Sequence, residues 1–192
     1  VKRKSVDAAI LAMIEAGLEI NPDTARENIF NIYNNKGYEY QEVFDDFLIE
    51  ANGKIDYKIL ASGIVAYRKT KDASIILYPN VHSTLIKLAK LGYKLAVLSD
   101  APSREAWVRL YSVNLHHLFD VVVTHNDTKK FKPSPEPFNK AVELLGVSPE
   151  NIIMIGDWPD RDVVGGKLAG MKTAFAKYGD VFGTKHSGAD YD

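Results

Sequence analysis

Two kinds of hydrophobic spacing divide the chain. From Val1 to about Lys71 apolar residues recur three and four apart, the period of amphipathic helices. Val6, Ile10, Met13 and Ile14 mark a first helix that Gly17 stops. Asn21-Pro22-Asp23 restarts a second, with Ile29, Ile32 and Tyr33 on one face, and Gly37 breaks it. A third helix is predicted over 41–51, with Val43, Phe44, Phe47 and Leu48 inward. After the Asn52-Gly53 turn a fourth follows over 57–68, carrying Leu60, Ile64 and Tyr67. Residues 1–73 thus read as a helical bundle whose aromatics fill its core.

From Ser74 the pattern becomes one of short apolar runs separated by helices. A helix over 81–91, ended by Gly92, leads into a buried strand, 94–98, that closes on Ser99-Asp100. A helix over 103–111 follows, with Ser103 as its N-cap, and then a strand over 119–123 ending at Thr124. Lys132 falls in a loop before Ser134-Pro135, which reads as N-cap and first helical residue of a helix reaching Leu145 and stopping at Gly146. Ile152 to Ile155 is a third strand, apolar without alternation, as expected when both faces are covered. An acidic turn and a short helix ending before Gly170 lead to a fourth strand, 172–176. Strands alternating with helices through 74–192 predict one parallel, right-handed α/β sheet.

Ligands in open α/β sheets bind at the carboxyl edge of the strands. Three signals stand there in order: Ser99 after KLAVL, Lys132 in FKPSPEPF, and Asp157 with Asp162 in IGDWPDRD. A hydroxyl, an ammonium and a carboxylate pair suit phosphoryl transfer. The hydroxyl hydrogen-bonds a phosphate oxygen, the lysine offsets developing charge, and the carboxylates hold Mg²⁺. Each has a plainer reading. Acidic residues at a helix start also favour the helix dipole, Ser99 could cap a loop, and a single lysine is most often solvated. Arg104 reads as a surface arginine, and the five histidines show no metal-ligand spacing.

Composition narrows the field. Lysine and arginine number 24 against 25 acidic residues, a net charge of −1 that gives no basic field for nucleic acid. The absence of cysteine excludes disulfides, thiolate metal sites and a cysteine nucleophile. No apolar run approaches a membrane span, and a cytoplasmic location is expected.

In these motifs the chain resembles the haloacid dehalogenase (HAD) superfamily over nearly all its length. Ser99 matches the family's second motif, Lys132 with Pro133 the third, and Gly156-Asp157 with Asp162 the fourth. The runs 77–100 and 163–179 resemble the family's usual sequence around these motifs. The resemblance implies an HAD-like Rossmannoid α/β core, 74–192, and a helical cap, 1–73. It also implies a Mg²⁺-dependent phosphatase of a small phosphorylated metabolite, acting through an aspartyl-phosphate. The metal would lie on Asp157 and Asp162, catalysis on Ser99 and Lys132, and substrate contacts on Ser99, Asp100 and Lys132. A monomer or homodimer is expected.

The family's first motif is an apolar strand ending in Asp-x-Asp-x-Thr or Ser, whose first Asp attacks phosphorus. This chain opens on VKRKSVDAAI, already within the cap-like region. Asp45-Asp46 lies in a helical pattern, and Asp190-Tyr191-Asp192 has a polar lead, so neither reads as that motif. The resemblance places the strand between those ending at Leu98 and Ile155. A sequence trimmed at its ends, and therefore an inactive one, is the expectation. The competing readings are a non-catalytic phosphate- and Mg²⁺-binding protein and a metal-independent dehalogenase.

Overall fold

The computed structural model describes all 192 residues, which form two compact units, Val1–Tyr78 and Pro79–Asp192. The first contains α1 (Lys2–Glu15), α2 (Pro22–Lys36), α3 (Val43–Asn52) and α4 (Tyr57–Ser74). The Asn21 side chain caps α2 by accepting the Asp23 and Thr24 N–H groups, and Asp56 caps α4 in the same way. Val6, Ile10 and Met13 of α1, Ile29 of α2 and Phe47 and Leu48 of α3 form a solvent-free core. Gly63 lets α4 approach α1 closely: a Cβ there would lie 2.0 Å from the Met13 methyl carbon. α4 runs six residues past the predicted 57–68, because nothing in the polar segment 69–74 breaks it and Ser74 Oγ bonds back to the Thr70 carbonyl.

The second unit alternates helices and strands. Its elements are α5 (Val81–Lys90), β1 (Ala96–Leu98), α6 (Ser103–Ser112), β2 (Val121–Val123), α7 (His125–Thr128), α8 (Pro135–Leu145), β3 (Ile153–Gly156), α9 (Asp162–Leu168) and β4 (Lys172–Phe175). Pro102 rather than Ser103 precedes the first turn of α6. β1 pairs in parallel with β2, Leu98 opposite Val123, and β3 pairs in parallel with β4, Gly156 opposite Phe175.

The four strands make two separate pairs instead of the single sheet expected. β1 and β3 each hydrogen-bond on one side only. α8 packs on β1, on β2 and on α9, the helix that follows β3. Beneath it Val121, Val123, Ala141 and Leu145 form a core with Leu98 and Ile152. β3 is also open on one face, with Ile153 at 51% and Ile155 at 62%, where its unbroken apolar run predicts cover on both. The outer edge of β4 is closed by the tail, where Tyr191 bridges Ala174 and Asp190 binds Thr173.

Candidate active site

The carboxyl ends of β1 and β3 converge on Lys132. Its ammonium donates to the Leu98 carbonyl at 3.3 Å, at the end of β1. It also donates to Asp162 Oδ1 at 2.7 Å, on the first residue of α9. Both side chains are largely buried. The Lys132–Pro133 peptide is cis. Three donors sit on an ammonium, so one remains to face the site.

Ser99 prolongs β1 by one ladder bond, its N–H reaching the Val123 carbonyl at 2.9 Å. Its Oγ accepts the Ala101 N–H at 3.1 Å, which fixes the oxygen and leaves the hydroxyl proton to donate.

Asp162 is 4% exposed and is no simple helix cap. Its second oxygen reaches back to the Trp158 N–H at 3.1 Å, closing the acidic turn on itself. The carboxylate occupies the space a side chain at Gly156 would need. Asp157 stands at the end of β3, beside Gly179, and is exposed. Surrounding protein nevertheless raises its carboxyl above the usual range by desolvation, and the Asp162 charge raises it further. A like-charged carboxylate pair of this kind is what a divalent cation relieves. No third acidic, histidine or cysteine side chain joins it. A cation there would complete its shell with backbone, water or substrate oxygens, the habit of Mg²⁺. The residues fit the ion.

Asp100 is engaged on both oxygens, accepting the Lys132 N–H at 2.9 Å and Arg161 Nη1 at 3.2 Å. Its place is between loops. Asp160 is exposed, and Arg104 is exposed beside its neighbour Glu105. His125 stacks on Phe131. Asp46 pairs with Lys36 within the helical unit. Asp190 is bonded to the Thr173 N–H and hydroxyl at 2.7 and 2.8 Å.

Three further residues hold the loops around the site. Arg161 was one charge in an acidic turn, and its partner lies 61 positions away. Thr124 and Asp127 form a capping box on α7 that the Thr-x-x-Asp spacing does announce. It anchors the loop after β2, where Ser103 Oγ meets Thr124 Oγ1 at 2.7 Å.

Parallel strand pairs with polar groups gathered at their carboxyl ends are the arrangement at which open α/β sheets bind ligands. A profile described as haloacid dehalogenase-like hydrolase matches residues 8–176. The glyceraldehyde 3-phosphate phosphatase of Methanocaldococcus jannaschii is 33% identical over 182 residues, which cover 93% of this chain and 80% of that protein. Among solved structures, an HAD phosphatase from Thermococcus onnurineus superposes with a TM-score of 0.67 at 27% identity, covering 95% of this chain and 82% of that one. A putative β-phosphoglucomutase from Thermotoga maritima shares the fold, with a TM-score of 0.70 at 24% identity, covering 89% and 76% of the two chains. The chain belongs to the haloacid dehalogenase-like hydrolase family.

Proposed function

We propose that the protein is a phosphatase of small phosphorylated metabolites, with its phosphate site on Ser99 and Lys132. Glyceraldehyde 3-phosphate, the substrate named for the archaeal relative, is the first compound to test. The observation that carries this reading is the Lys132 ammonium. It bridges the end of β1 to the Asp162 carboxylate and keeps one donor for an incoming anion. The Ser99 hydroxyl proton is the second donor. Together they would bind phosphate oxygens and offset charge as the ester bond breaks. Mg²⁺ held by Asp157 and Asp162 would supply further charge neutralisation at the phosphoryl group. Residues 1–73 would serve as the cap.

The nucleophilic carboxylate belongs, in this reading, at the end of a strand seated between β1 and β3. Their singly bonded edges and the exposure of Ile153 and Ile155 support that placement. Aspartates elsewhere are poor substitutes, since Asp45 and Asp46 lie within α3 and Asp190 is held by Thr173.

The test is phosphate release from glyceraldehyde 3-phosphate and other small phosphate esters. It is run with Mg²⁺ or a chelator, and with or without a synthetic apolar peptide ending in Asp-x-Asp-x-Thr. Release that requires both Mg²⁺ and the peptide is expected. Turnover without the peptide refutes the placement of the nucleophile. Mg²⁺-dependent phosphate binding with no release under any condition marks a binding protein, and halide release from a haloacid without metal marks a dehalogenase.

A further inference from the structure

Five contacts close a ring around the site. Lys132 Nζ holds Asp162 Oδ1, and Asp162 Oδ2 accepts the Trp158 N–H. The Trp158 ring lies 3.8 Å beneath the Arg161 guanidinium carbon. Arg161 Nη1 reaches Asp100 Oδ2, and Asp100 Oδ1 accepts the Lys132 N–H, which returns to the start. The ring joins the loop after β1, the loop before α8 and the turn after β3. These segments come from two strand pairs that share no ladder bonds.

We propose that Arg161 is a positioning residue that sets the spacing between the anion-binding groups, Ser99 and Lys132, and the carboxylate pair. The proposal rests on the phosphatase reading. Arg161 is the member whose one side chain makes two unlike contacts at once. Its planar face lies on an aromatic ring while an edge N–H reaches a carboxylate, a combination a lysine ammonium does not reproduce. Both partners are partly buried, with side-chain exposures of 31% for Arg161 and 15% for Asp100, so the pair is less screened than a surface bridge. Trp158 also meets Phe182, with ring centroids 4.7 Å apart, which ties the ring to the tail. Asp100 accordingly works as the strut between Arg161 and Lys132, with both its oxygens occupied.

The test compares Arg161→Met, Arg161→Lys and Asp100→Asn in the full chain, by two measurements. The first is amide hydrogen exchange. The Lys132 and Trp158 amides are expected to exchange at least tenfold faster in Arg161→Met, with the Thr124 amide, bonded to Asp127 outside the ring, unchanged. The second is calorimetric binding of inorganic phosphate in Mg²⁺. Arg161→Met and Asp100→Asn should each weaken it about tenfold, the double variant no further, and Arg161→Lys should not rescue. Unchanged Lys132 and Trp158 exchange, additive losses, or lysine rescue overturns the proposal. So does a lowered melting temperature with phosphate affinity intact, since that describes a structural contact only. If the unmodified chain binds no phosphate, the phosphatase reading fails, and exchange alone decides whether Arg161 fixes Lys132.

Discussion

Gly156 and Asp162 occupy one another's space: a Cβ on Gly156 would sit 2.2 Å from Asp162 Oδ2. The carboxylate cannot swing away freely, because Lys132 and the Trp158 N–H hold its two oxygens. The glycine is therefore a requirement of the acidic turn's packing. Gly156→Ala should displace Asp162 and cost about 1–3 kcal/mol, the usual range for overpacking. Thermal unfolding together with a Mg²⁺ titration checks this. Unaltered stability and metal uptake would show that the turn can yield.

The Lys132–Asp162 pair should behave as a unit. Lys132→Met leaves a buried carboxylate without its cation, a loss of about 3–5 kcal/mol. Replacing both partners, with Asp162→Asn added, should cost less than the sum of the single changes. A denaturant-melt double-mutant cycle measures the coupling, and simple additivity would deny it.

Asp157 should oppose stability as it ionises. Its folded pKa is raised, so the folded chain holds the proton more tightly than the unfolded chain does. Its contribution is therefore present at low pH and is lost as pH rises from the ordinary carboxylate range through the raised value. Asp157→Asn should melt higher than the unmodified protein above that window and match it below. It should also take up Mg²⁺ more weakly. Equal melting temperatures at every pH would sink the idea.

Asp190 has the opposite sign. Hydrogen bonds from the Thr173 hydroxyl and N–H hold its carboxyl below the usual range. Its contribution is present above the ordinary carboxylate pKa and is lost as pH falls through the lowered value. The tail on β4 should then loosen in acid, and Asp190→Asn should loosen it at neutral pH. Limited proteolysis within 180–192 reads this directly, and equal cleavage of variant and parent would reject it.

Much of this architecture was legible along the chain. The helical periods find α1 to α4, with only the C-terminal end of α4 six residues off, and apolar runs find all four strands. β1 and β2 came out shorter than their runs at the N-terminal side. At 94–95 and 119–120 the chain bonds irregularly, Asp120 N–H to the Leu95 carbonyl and Leu95 N–H to the Asp120 carboxylate, before regular pairing begins. Pairing itself is non-local. Nothing in the run 152–155 distinguishes a strand with two neighbours from one with a single neighbour. The same limit hid the partners of Asp100: the motif places it beside Ser99, but only the fold brings Lys132 and Arg161 to its two oxygens.

The one-sided ladders of β1 and β3 also bear on how the chain behaves in concentrated solution. An exposed strand edge is adhesive, and here apolar Ile153 and Ile155 accompany it. Any extended segment that docks on those edges adds its binding energy to the folded state, while an unrelated molecule that docks there seeds a precipitate. Thermal midpoints will accordingly depend on what shares the tube, and light scattering belongs beside every melting curve.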